Sequence, residues 1–219
     1  MNKKRAIIFA NGIAADIKQL GAVLQPDDLL IAADGGLQHL YQLGKWPHVL
    51  IGDLDSVTLD EVEQARKNGA VVKQYPVEKD ETDLQLAIDY ALRSDCGSIV
   101  IAAALGGRLD QTLGNLFLLT QPALQNLDVR LDDGRDEVFL IRTEAEINGQ
   151  AGDRVSLIPY GEPALEVKAE NLRYPLDFET LFPDQTRGIS NVMETICARV
   201  SISKGILICI HTRLNLPVK

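Results

Sequence analysis

The sequence predicts an α/β fold with a parallel sheet and crossover helices over residues 1–133, followed by a small β-sandwich or barrel over residues 134–219. Three observations predict it. Short apolar runs alternate with segments of helical periodicity through the first part, the signature of βαβ units. Acidic residues recur in the loops after four of those runs, with glycine in three of them. Past Asp133 helical periodicity gives way to short β-rich runs broken by turn residues.

Taken in order, the predicted strands of the first part are residues 6–10, 29–33, 49–51, 71–75, 98–103 and 129–131. Residues 59–67 and 83–93 carry apolar residues at helical spacing, with Leu84, Ala87, Ile88, Ala91 and Leu92 on one stripe. In the second part the strands are 138–141, 155–159, 164–167, 199–203 and 206–211. The breaks include Asn148-Gly149, Tyr160-Gly161 and Lys204-Gly205, and the last reads as a tight hairpin between two apolar strands. There is no internal repeat and no low-complexity linker.

The 219 residues are 46% hydrophobic and 24% charged, enough to bury a core, and aromatics are sparse at 5%. The formal net charge of −9 has no basic stripe to offset it, which argues against nucleic acid as a partner. An acidic chain still holds phosphates where a divalent cation screens them. Cys96, Cys197 and Cys209 form neither a CxxC pair nor an even set, so zinc and a disulfide framework are not indicated. The basic start, Asn2 to Arg5, precedes an apolar run too short for a signal peptide, and no stretch approaches membrane-span length. A cytoplasmic protein is expected.

The chemistry concentrates in four loops at strand ends, where ligands of open α/β sheets bind. Gly52-Asp53-Leu54-Asp55-Ser56 sets two carboxylates two residues apart, a pair suited to a hard divalent cation. Locally, Asp55 or Ser56 also suits a helix cap. Asp34-Gly35-Gly36 frees backbone amides to face an anion, or simply makes a strand-to-helix turn. Lys79-Asp80-Glu81-Thr82-Asp83 offers a cation for phosphate beside acids for a metal, with Thr82 or Asp80 as alternative caps. In Gly106-Gly107-Arg108-Leu109-Asp110 the arginine fork fits phosphate oxygens. Recurrence after four strands favours a shared site, because independent capping would not require it.

The ordered set DGG, GDLDS, KDETD and GGRLDQ resembles the catalytic domain of the thiamine pyrophosphokinase family. Asn171 to Leu176 and Gly188-Ile189-Ser190-Asn191 resemble that family's thiamine-binding motifs, so the resemblance covers nearly the whole chain. It implies an N-terminal nucleotide-binding domain, a C-terminal thiamine-binding β-sandwich, and a homodimer with active sites between subunits. It further implies that Asp53, Asp55 and Asp83 hold Mg²⁺, with Asp110 among the catalytic acids. Asp34, Gly35, Lys79, Asp80, Thr82 and Arg108 would surround ATP, and Tyr174, Ser190 and Asn191 would meet thiamine. The implied reaction is attack of the thiamine hydroxyl on the β-phosphorus of ATP, with AMP leaving.

Gln111 stands where many members of the family carry His, so hydrogen bonding replaces titration there. His39, His48 and His211 match no motif and are expected to be structural or exposed, with Trp46 in a core or interface. The rival readings are another metal-dependent transferase, against which the β-rich half argues, and a two-aspartate phosphatase. The phosphatase would need its nucleophile after the first strand, where Asn11-Gly12 stands. A non-catalytic thiamine or nucleotide sensor is the third.

Overall fold

A computed structural model describes residues 4–214. Asn2 and Lys3 of the basic start, and residues 215–219, lie outside the described residues. The chain divides into two compact units, Met1–Gly134 and Arg135–Lys219.

The first unit contains β1 (Lys4–Phe9), α1 (Ile17–Val23), β2 (Leu29–Ala33), α2 (Leu37–Gln42), β3 (Val49–Gly52), α3 (Leu59–Lys67) and β4 (Val71–Gln74). It continues through α4 (Asp83–Arg93), β5 (Cys96–Ala102), α5 (Leu109–Leu118) and β6 (Asp128–Asp132). Its strands pair in the order β6-β5-β1-β2-β3-β4, every pair parallel. The chain winds outward from β1 to β4 and then returns to place β5 on the other side of β1. That reversal makes a switch point at the carboxyl ends of β1 and β5, the position of the ligand crevice in open sheets.

Both faces of such a sheet are covered at its centre, so β2, β3 and β1 from Ala6 onward are apolar runs rather than alternating. Ala6 to Phe9 are all buried, as are Val49 to Ile51. Phe9, Leu20, Leu37, Leu40, Leu50 and Val62 belong to one cluster that packs α1, α2 and α3 on the strands. The helices begin where side chains satisfy their first amides. Asp16 accepts from Lys18 and Gln19 at α1, Thr58 and Glu61 form a reciprocal capping box at α3, and Thr82 accepts from Gln85 at α4.

The second unit holds β7 (Asp136–Ile141), β8 (Glu144–Asn148), β9 (Arg154–Pro159), β10 (Ala164–Glu170) and β11 (Leu176–Leu181). It ends with β12 (Asn191–Val192), β13 (Cys197–Ser201) and β14 (Leu207–Thr212). Two antiparallel sheets form, β12-β9-β14-β7 and β11-β10-β13-β8. Alternation does the rest: Val155 and Leu157 of β9 point inward with Phe139, Ile141 and Leu207, against Ile147, Val167, Ala198 and Val200 of the other sheet.

The Lys204-Gly205 hairpin expected from the sequence does not form. β13 and β14 lie in different sheets, and the dipeptide is the corner between them. The Lys204 carbonyl accepts from the Leu165 amide, and Gly205, at φ +96°, sits so close to Pro163 that a Cβ would come within 2.8 Å of its carbonyl oxygen. Two apolar strands joined by Lys-Gly look alike whether they pair or pack face to face.

Candidate active site

The loops leaving β1, β2, β3 and β5, with the start of α4, line a cleft of about 720 Å³ in the first unit. Its floor is the sheet edge itself. After β2 the chain turns at once: Asp34 takes φ +46° and opens a 3₁₀ turn with Gly35 and Gly36. Gly36 presses on β1 so closely that a Cβ would overlap the Phe9 carbonyl oxygen. Asp34 is thereby held nearly buried at the cleft, its Oδ1 accepting from the Ser56 amide at 3.3 Å.

Register brings the next acids to it. Ala33 pairs with Ile51, so Asp34 leaves its strand opposite Gly52. Gly52 has φ +149°, and a Cβ there would lie 3.1 Å from the Asp34 Cβ and 3.0 Å from the Asp83 Cγ. A glycine is needed both for that backbone and for that space. Carboxylate oxygens of Asp34, Asp53 and Asp83 consequently all lie within 4.8 Å of one another.

Lys79 is the cation that this trio faces. Its Nζ lies 3.0 Å from Asp83 Oδ1 and 3.4 Å from Asp53 Oδ2, and donates to the Pro76 carbonyl at 3.2 Å. Burial lowers the Lys79 pKa, but Asp83 and Asp53 together outweigh it and leave the ammonium above its ordinary value. Burial raises the Asp83 carboxyl, Asp53 and Asp34 add to that, and Lys79 only partly opposes it. Both partners of one ion pair therefore shift upward, because burial of Asp83, with its acidic neighbours, outweighs the lysine there. Asp83 Oδ1 is buried and accepts no aligned hydrogen bond, the lysine contact being ionic.

Of the other residues singled out in the sequence, Asp55 lines the cleft outside the trio, its amide donating to Asp53 Oδ1 and its Oδ1 accepting from the Ser56 hydroxyl. Thr82 lines the cleft and caps α4. Asp80 is exposed and is not part of the lining. Arg108 and Asp110 stand exposed at the mouth, joined through the guanidinium Nε and Nη2 at 3.1 and 2.6 Å. That fork raises Arg108 and lowers Asp110. Gln111 lies beside them, and Asn115 donates to the Ala104 carbonyl.

One contributor escaped the sequence reading, and a histidine expected to be structural supports the loop that carries it. Asn11 lines the cleft and donates to Ser56 Oγ at 3.3 Å, while Gly35 packs against its side chain. His39 contacts the Gly12 carbonyl through Nε2 at 3.0 Å and so fixes that loop. The only available signal for Asn11 was its place after the first strand.

Residues 20–131 match the family model "Thiamin pyrophosphokinase, catalytic domain", and residues 140–207 match "Thiamin pyrophosphokinase, vitamin B1 binding domain". The thiamine pyrophosphokinase of Bacillus subtilis is 33% identical over 94% of this chain and 97% of its own. This chain belongs to the thiamine pyrophosphokinase family. The rice (Oryza sativa subsp. japonica) thiamine pyrophosphokinase 1 is 28% identical over 76% of this chain and 67% of its own length. Among solved structures, the Bacillus subtilis thiamine pyrophosphokinase superposes with a TM-score of 0.86 at 32% identity, covering 96% of this chain and all of that one. The Candida albicans thiamin pyrophosphokinase, at 16% identity, shares the fold with a TM-score of 0.78 over 96% of this chain and 89% of its own.

The segment matching the family's vitamin B1 binding domain contains Tyr174, Ser190 and Asn191. In the second unit the buried Asn191 side chain accepts from the Tyr174 amide at 3.0 Å and donates to the Tyr174 carbonyl at 2.7 Å. Its amide group is thus spent on holding Tyr174, a residue that is 56% exposed. Ser190, at φ +60°, is exposed and donates its amide to the Ser156 hydroxyl.

Proposed function

We propose that this chain transfers the diphosphate group of ATP to the hydroxyl of thiamine, giving thiamine diphosphate and AMP. The carrying observation is the Asp34, Asp53 and Asp83 trio with Lys79, set at the carboxyl ends of β2 and β3 and the start of α4 in the parallel-sheet unit. Membership of the family, with both its domain models matched, supports the reading. On this reading the first unit is the ATP-binding catalytic domain and the second the thiamine-binding domain.

The trio fits Mg²⁺: all three donors are hard carboxylate oxygens, and a buried oxygen of Asp83 has no aligned hydrogen bond to lose. When bound, Mg²⁺ neutralises phosphate charge and holds the phosphates in place. Asp34, Asp53 and Asp83 would hold it, with Asp55 beside them. Lys79 and Arg108 supply positive charge to the oxygens on which charge develops, and Arg108 must leave Asp110 to do so. Asn11, Thr82 and Gln111 offer neutral hydrogen bonds along the same wall. Tyr174, with Asn191 fixing its backbone and Ser190 next along the chain, would receive thiamine. Little covalent chemistry falls to the protein, so positioning and charge carry the rate.

The expected setting is a cytoplasmic homodimer. Among the described residues no helix is long and apolar enough to cross a membrane. Leu109, Leu113 and Phe117 lie four residues apart along α5 and are exposed, which supports a second copy covering them. Sedimentation equilibrium is expected to give twice the chain mass, with Leu113→Glu shifting it toward the single chain.

The activity test is incubation of the purified chain with ATP, Mg²⁺ and thiamine, with AMP and thiamine diphosphate separated by chromatography. Equimolar, thiamine-dependent formation of both is expected. AMP released without thiamine, or neither product from a folded protein that binds thiamine, would overturn the proposal.

A further inference from the structure

Lys79 has more bonds to the acids than a residue waiting for substrate needs. Its Nζ makes an ion pair with Asp83 Oδ1 and donates hydrogen bonds to Asp53 Oδ2 and the Pro76 carbonyl. The side chain is only 11% exposed. Its position is set from two directions: Asp83 lies four residues along the chain at the start of α4, and Asp53 follows β3. Three carboxylates this close repel one another strongly in a partly buried site. A neighbouring cation relieves that repulsion, whatever the reaction requires.

We infer that Lys79 is the resident counter-cation of the acid trio, competing with the divalent cation for the Asp53 and Asp83 oxygens and giving up those oxygens when the cation binds. The chemistry of lysine suits this. Its ammonium is a compact point charge on a flexible four-carbon stem, so it can take a small cation's place and leave it, where a planar guanidinium cannot. An ammonium at contact distance from two of the trio's carboxylates repels a divalent ion that enters among them, so the two cations oppose each other's binding. Released, Lys79 stays tethered beside the phosphate path, which links metal entry to delivery of a positive charge. The inference rests on the trio being the cation site of the proposed function.

The test measures Mn²⁺ binding to the nucleotide-free protein by electron paramagnetic resonance of the unbound ion. If Lys79 competes, Lys79→Met binds Mn²⁺ about tenfold or more tightly than wild type, in the usual range of coupling between linked sites, and Lys79→Arg does not share that gain. A merely structural lysine would give unchanged or weaker binding on removal, and either result overturns the inference. Absence of binding by both proteins does the same. Asp53→Asn with Asp83→Asn separates the two claims. If that double variant binds Mn²⁺ like wild type, the trio is not the cation site and both claims fall. If it loses binding while Lys79→Met equals wild type, only the inference falls. Should Lys79→Met not fold, acetylation of Lys79 in the wild type, followed by mass spectrometry, decides: a rate that rises with Mn²⁺ supports displacement, and a rate that does not rise overturns it.

Discussion

Gly52 separates two carboxylates that the proposed chemistry needs side by side. At φ +149° any L side chain is strained, and an added Cβ would meet Asp34 and Asp83 at 3.1 and 3.0 Å. Gly52→Ala is therefore expected to keep the fold by circular dichroism yet lose about 100-fold in kcat/KM, the usual consequence of displacing a site by a fraction of an ångström to one ångström. Asp53→Asn and Asp83→Asn are expected to lose about 10²- to 10³-fold in kcat, whereas Asp55→Asn, outside the trio, should lose less. Equal losses at all three would return Asp55 to the metal set. The sequence exposed Asp53 and Asp83 through spacing and loop position, but Asp34 was legible only as a nucleotide neighbour. Its place in the trio depends on the pairing of Ala33 with Ile51, and no spacing along one chain segment encodes a register between two strands.

The capping residues link element formation to the site. Thr82 ends the loop that carries Lys79 and begins the helix that carries Asp83. Thr82→Ala removes its bond to the Gln85 amide and is expected to cost about 1 kcal/mol in urea denaturation. A larger fall in activity than in stability would show that the same hydroxyl also serves the cleft. Helices α3 and α4 were legible because a cap precedes a clear apolar stripe, Val62 and Ala65 in one and Leu84, Ala87, Ile88 and Ala91 in the other. Helix α5 has no buried residue, α1 buries only Leu20, and α2 is six residues long, so each offers a weaker stripe. In the second unit β8, β11 and β12 escaped because β8 and β11 are edge strands with three exposed residues each and β12 has only two residues.

For the molecule as a whole, charge sets how stability follows pH. A chain of net charge −9 carries many carboxylates, yet its one fully buried histidine is held among acids. His211 Nε2 donates to Asp153 Oδ2 at 3.0 Å, and Nδ1 faces Glu137 at 3.5 Å in ionic contact without hydrogen-bond alignment. Arg213 also reaches Glu137, at 3.7 Å. The sequence offered no hint of this, since Asp153 and His211 are 58 residues apart and match no motif. Burial lowers the His211 pKa, but Glu137 and Asp153 together raise it above its ordinary 6.5. The folded state thus binds the proton more tightly than the unfolded chain does. The stabilisation is fully present below pH 6.5 and is lost as pH rises through the higher folded value. His211→Gln keeps a hydrogen-bond donor for Asp153 but removes the charge. The melting temperature of the variant should fall furthest below wild type in mildly acidic buffer, and the gap should narrow in alkaline buffer. A gap that widens with pH would mean that the histidine is neutral in the fold and that its contribution is packing alone.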